Sequence, residues 1–132
     1  MPVDTLKTNT LVMRKLEIIG QANQISQTIW EEVLKWDYFQ KGTIGKQLCR
    51  AADSISANLS EAAGRYSYAE RKQFCYYARG SLFETINWIE KAINRGLIES
   101  RKGGELLSEL NILAQRLNSF INTLKQAKPP HQ

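Results

Sequence analysis

Apolar residues recur along this chain at steps of three and four, in four stretches separated by short polar or glycine-containing breaks. In the first, Ile18, Ala22, Ile25, Ile29, Val33 and Trp36 share one face of a helix expected from about Leu11 to Trp36. The stretch Asp37 to Gly42 is expected to end it, with Gly42 suited to a turn because glycine takes positive φ without steric cost. A second helix is expected from about Ile44 to Ala63, with Thr43 as its N-cap and Gly64 as its C-terminal cap. Its stripe is Ile44, Leu48, Ala51, Ile55, Leu59 and Ala62, and alanine and serine fill much of the rest.

The third helix opens with Ser67-Tyr68-Ala69-Glu70, the pattern of a capping box, and is expected to run to about Asn94, with Gly96 as its stop. Cys75, Ala78, Leu82, Ile86, Ile89 and Ile93 form its stripe, widened by Phe74, Thr85 and Trp88. Gly80 lies inside this helix, where glycine costs about 1 kcal/mol against alanine. A close contact with the small-residue face of the second helix is the expected reason. The fourth helix is expected from about Glu105 to Gln126, on the seam Leu106, Leu110, Leu113, Leu117, Phe120 and Leu124. Gly103 and Gly104 precede it, and Pro129 and Pro130 follow it.

No stretch alternates with period two, so no sheet is expected. Short connections make neighbouring helices antiparallel. The expected fold is therefore all-α: one up-down-up-down four-helix bundle over residues 1–132, with frayed ends at about 1–8 and 127–132. Ile25, Ile55, Leu59, Leu82, Ile89, Leu113 and Leu117 should lie in its core.

Composition adds limits. At 132 residues the chain can bury a core, and 23% charged residues is too ordinary for disorder. No apolar run approaches the roughly 20 residues that cross a bilayer. Met1 to Thr10 lacks the apolar centre of a signal peptide, which points to the cytoplasm. Cys49 and Cys75 fall on apolar helix faces and read as small hydrophobes. The one histidine, His131, stands in the tail. That removes histidine-based nucleophile machinery and the Glu-x-x-His pairs of di-iron bundles. There is no Walker-type loop and no Cys-x-x-Cys pair. Glu61 and Glu84 sit near apolar stripes and could do acid/base work, but Arg65 is placed four residues on to hold Glu61. The expectation is a protein without catalytic residues, cofactor or metal.

The net charge of +5 is uneven. Residues 41–79 hold seven basic and three acidic groups, net +4, and residues 101–132 are net +3, while 1–40 and 80–100 are each net −1. Lys46, Arg50, Arg65, Arg71, Lys72 and Arg79 are the candidate phosphate contacts, with Tyr66, Tyr68 and Tyr76 interleaved as stacking surfaces. Trp30, Tyr38, Phe39, Tyr76, Tyr77 and Phe83 lie beside or beyond the stripes. A monomer would expose this aromatic surface, and such patches mark interfaces.

The segment Arg50-Ala51-Ala52-Asp53-Ser54-Ile55-Ser56-Ala57-Asn58-Leu59-Ser60-Glu61 is followed by Gly64-Arg65-Tyr66-Ser67, Glu70, Phe74, Ala78 and Gly80-Ser81-Leu82-Phe83-Glu84. This pattern, over about a quarter of the chain, resembles the bacterial four-helix bundle family of ribosomal RNA intervening-sequence proteins. That family includes the accessory variability determinant of diversity-generating retroelements. The chain departs from it at Ala62 and Ala63, where glycine and an aromatic residue are common, and at Ser56, where proline often stands. The resemblance implies a homo-oligomer, a ring-like pentamer, and no enzymatic activity. For the retroelement branch it implies binding to nucleic acid and to a reverse transcriptase. Two functions fit the residues: an oligomeric nucleic-acid-binding protein, or a protein-binding scaffold whose basic surface is incidental.

Overall fold

The computed structural model describes the backbone of residues 3–126 and the side chains of residues 13–124. Four long helices dominate, and no strand is present among the described residues. The first helix spans Val3–Val33, the second Lys46–Gly64, the third Tyr68–Asn94 and the fourth Ser100–Gln126. Neighbours run antiparallel. On the first and fourth helices, Gln21 meets Arg116 and Glu32 meets Lys102. Between the first and second, the Ser26 hydroxyl donates to the Asp53 carboxylate. Arg79 of the third helix donates to Asn118 of the fourth at 2.9 Å. The third helix has its most extensive interface with the second.

All seven residues expected in the core are at most 3% exposed. The stripes of the first and second helices are buried in full. Ile86, Ile93 and Leu124 are only partly buried, at the edges of the third and fourth stripes. Thr85 is wholly buried, its hydroxyl donating to the Ser81 carbonyl at 2.8 Å, so it fills core space without an unmet polar group.

The breaks differ from expectation. The first helix already includes Val3, and it stops at Val33, three residues before Trp36. Asp37, not Thr43, caps the next turn. Its carboxylate accepts from the Gln40 amide at 2.8 Å, and the Gln40 side chain accepts from the Asp37 amide in return. That turn, Tyr38–Gln40, passes through a π-helical segment, Lys41–Gly45, into the second helix. Gly42 is therefore helical, and Thr43 donates its hydroxyl back to the Phe39 carbonyl. Gly45 is buried against Val33, Trp36 and the Gln40 carbonyl, so the close approach that glycine permits occurs here. Of the capping box at the third helix, the serine half forms: Ser67 accepts from the Glu70 amide at 3.1 Å. Glu70 turns to Arg65 instead of reaching back.

Gly96 has φ +73°, and the amides of Gly96 and Leu97 donate to the carbonyls of Ile93 and Ala92. This Schellman ending stops the third helix as expected. Gly103 and Gly104 do not precede the fourth helix but lie inside it, and Gly103 is buried where a Cβ would collide with Ile93.

The expected contact at Gly80 is absent, because a Cβ there would meet open space. Gly80→Ala should therefore stabilise the bundle by about 0.5–1 kcal/mol through helix propensity alone. An unchanged or lowered denaturation midpoint would contradict this.

Residues 1–2 and 127–132, including His131 and both tail prolines, lie outside the described residues, as does the expected fraying there. Residues 3–8 have helical backbone. Among the described residues, no helix is long and apolar enough to cross a membrane, and no group of three or more histidine, cysteine and acidic side chains could hold a metal.

Candidate nucleic-acid interface

The six candidate bases separate into two groups. Arg65, Arg71, Lys72 and Arg79 gather at the corner between the second and third helices and along the third. Lys46 and Arg50 lie on the early part of the second helix, beside the first.

Arg65 organises the corner. It comes directly after the last residue of the second helix, in extended conformation. Its guanidinium pairs with Glu61 at 2.6 Å and Glu70 at 3.4 Å, and lies 4.7 Å from the centroid of the Phe74 ring. Both corner acids are thus engaged by one arginine, so Arg65 is a clasp and not a free phosphate contact. Glu61 is held as the sequence spacing suggests, and Glu84 accepts from the Trp88 indole at 3.4 Å.

Arg71 is exposed and gives only its Nε, to the Arg65 carbonyl at 2.7 Å. Its terminal amino groups have no carboxylate partner among the described residues. Tyr66, 98% exposed, stands at the same corner. Along the third helix, Tyr68, Lys72, Tyr76 and Arg79 succeed one another at steps of four, four and three, which aligns them on one face. The Lys72 ammonium lies 5.7 Å from the Tyr68 ring, and the Arg79 guanidinium 4.8 Å from the Tyr76 ring. This is a ladder of alternating ring and cation. Neither cation forms an ion pair among the described residues, so both charges remain uncompensated. The antiparallel order also brings Arg14 of the first helix near Arg116 of the fourth, with Glu17 as their nearby acid.

Lys46 and Arg50 instead border a groove between the first and second helices. Trp30, Val33, Leu34, Gly45 and Cys49 form its walls, and Lys41 and Asp53 complete its rim. Sequence periodicity gives no reason to group Trp30 and Lys41 with Lys46. The signal that could have joined the two lysines is the helical character of Lys41–Gly45, which places them near one another.

The thiols are unsuited to nucleophilic chemistry. Burial pushes the fully enclosed Cys75 up to about 11, against a smaller opposing effect of Lys15. Cys49 is raised by burial and then by Asp53. A thiolate is the reactive form, so both stay in the unreactive one at neutral pH.

A family profile described as "23S rRNA-intervening sequence protein" matches residues 14–119. Comparison with curated proteins finds none that matches. Among solved structures, the chain is similar to a protein of unknown function from the S23 ribosomal protein family of Bacteroides thetaiotaomicron. The TM-score is 0.77 at 22% identity, covering 83% of this chain and 98% of that one. That likeness concerns the fold. The profile spans the stripes of the first three helices, most of the fourth, the corner at Arg65 and the tyrosine–cation ladder, and the chain belongs to the 23S rRNA-intervening sequence protein family.

Proposed function

We propose that this protein is a non-catalytic, self-associating nucleic-acid-binding protein whose contact surface is the corner and ladder formed by Tyr66, Arg71, Lys72, Tyr76 and Arg79. The ladder carries the reading: cations spaced along a helix and backed by aromatic rings suit phosphates and unstacked bases together. No base-edge-reading motif accompanies it, so binding should show little sequence preference. Self-association is supported by the exposed aromatic side chains Trp30, Phe39, Tyr77 and Phe83, each at least 50% exposed. The family resemblance adds the pentamer. The resemblance to accessory variability determinants adds a reverse transcriptase as a protein partner. A protein-scaffold reading is favoured by one feature, the groove at Trp30.

The test is binding to a mixed-sequence duplex and a single strand at low and moderate salt. Affinity should fall steeply with salt, and the double variant Arg71→Glu, Lys72→Glu should weaken binding at least tenfold. Removal of those two phosphate contacts should also flatten the dependence of log K on log salt by about 2. Arg65 is left intact, because its loss would disturb the corner itself. No binding at low salt, or unchanged binding by the folded double variant, overturns the nucleic-acid reading.

A further inference from the structure

The groove at Trp30 encloses about 370 Å³. Trp30 is 50% and Leu34 53% exposed on its walls, and Lys41, Lys46 and Arg50 stand at its rim. None of these three bases belongs to an ion pair among the described residues. The one acid at the rim, Asp53, is engaged by Ser26. That bond does not cancel the carboxylate's charge, so the groove is an apolar slot with a net basic edge, three bases against one acid.

The third helix carries the complement on its outer face. Phe83 is 54% and Tyr77 51% exposed. Glu84 and Glu90 are exposed, and neither forms an ion pair among the described residues. Gly80, one turn before Glu84, leaves the backbone open to a close approach. The two faces also stand at one height. Arg50 lies about 14 residues before the end of the second helix, and Glu84 about 16 after the start of the third, hence roughly 21 and 24 Å from their shared corner.

We propose that the groove receives the third helix of a second copy of this chain. Phe83 enters the slot against Trp30 and Leu34, and Glu84 and Glu90 meet Lys46, Arg50 and Lys41. The proposal rests on the self-association reading above and names the surfaces that would mate. The contact is head-to-tail: each copy offers a groove to one neighbour and a helix to the other. Equal heights let the two faces meet without a large shift along the helix axes, and a head-to-tail contact gives a ring where its rotation closes. Lys46 and Arg50 then serve assembly, and Tyr66, Arg71 and Lys72 at the corner remain for nucleic acid, while Arg79, one turn before Phe83 on the same face, borders the contact.

Light scattering on the full chain at micromolar concentration tests this. Wild type should be a single species well above the monomer mass. The variants Lys46→Glu, Arg50→Glu and, separately, Glu84→Lys, Glu90→Lys should each associate at least tenfold more weakly, while circular dichroism shows intact helices. Combining all four substitutions in one chain should restore the assembly. Phe83→Ala, which changes no charge, should also weaken it. A wild-type oligomer whose mass survives the groove reversal, or a fourfold variant that stays dissociated, overturns the proposed pairing while self-association stands. A monomeric wild type overturns both and leaves the groove to a foreign acidic helix.

Discussion

Leu82→Ala should cost the bundle about 2–5 kcal/mol, read as a lowered denaturant midpoint. Leu82 is wholly buried at the middle of the third helix. The void it leaves should persist, because its surroundings have little length to spare. Ala78 lies one turn away, and Ala51 and Ala52 are buried on the second helix, which packs most extensively against the third. None of these side chains can extend into a vacated leucine site. The helix itself is held from both sides by the second and fourth helices and cannot simply move inward. Domains of this size hold only about 5–15 kcal/mol in total, so the loss would be a large share. A loss below about 1 kcal/mol would mean that the site collapses, against this account.

Gly103→Ala should also destabilise, by about 1–3 kcal/mol, although alanine is the better helix former. An added Cβ would overlap the Ile93 side chain, with Ile98 next to it. Isoleucine is stiff at χ1, and Ile98 is 2% exposed, so neither can easily give way. The helix would have to shift. Gly80→Ala is the matched control: the same substitution, also within a long helix, with the opposite expected sign. Differential scanning calorimetry on the pair decides. If both rise, the overlap at Gly103 is relieved at negligible cost.

These two glycines also mark the limit of what is legible in the sequence. The four stripes are legible because helical spacing repeats faithfully: Ile18 to Val33, Ile44 to Ala62 and Leu106 to Phe120 all point inward. The reason for a glycine is not legible, because it depends on what lies across the interface. From sequence Gly80 suits a packing site, yet it is open, while Gly103 suits a break, yet it is packed. Thr43 suits a cap only if Gly42 makes a turn, and Gly42 is helical. Asp37, with its reciprocal partner Gln40, has the chemistry to cap, and that pair was there to be found three residues apart. For the candidate interface, the basic excess is visible in the sequence, but its division is not. The Glu61–Arg65 pair is legible from its spacing, but that Glu70 also turns to Arg65, and that Lys46 stands beside Trp30, depend on the chain's folded path.

The π-helical segment Lys41–Gly45 acts as a phase shifter. An α-helix fixes the angle between any two of its residues, so cap, core and groove would otherwise be geared to one rotation. One wide turn inserts a slip between the two ends of this helix. Upstream, Asp37 can close the chain reversal beneath the buried Trp36. Downstream, Leu48, Ile55 and Leu59 can face the core while Lys46 and Arg50 border the groove. A single-residue deletion there would gear the two ends together again, and would turn one set of faces by about 100° against the other.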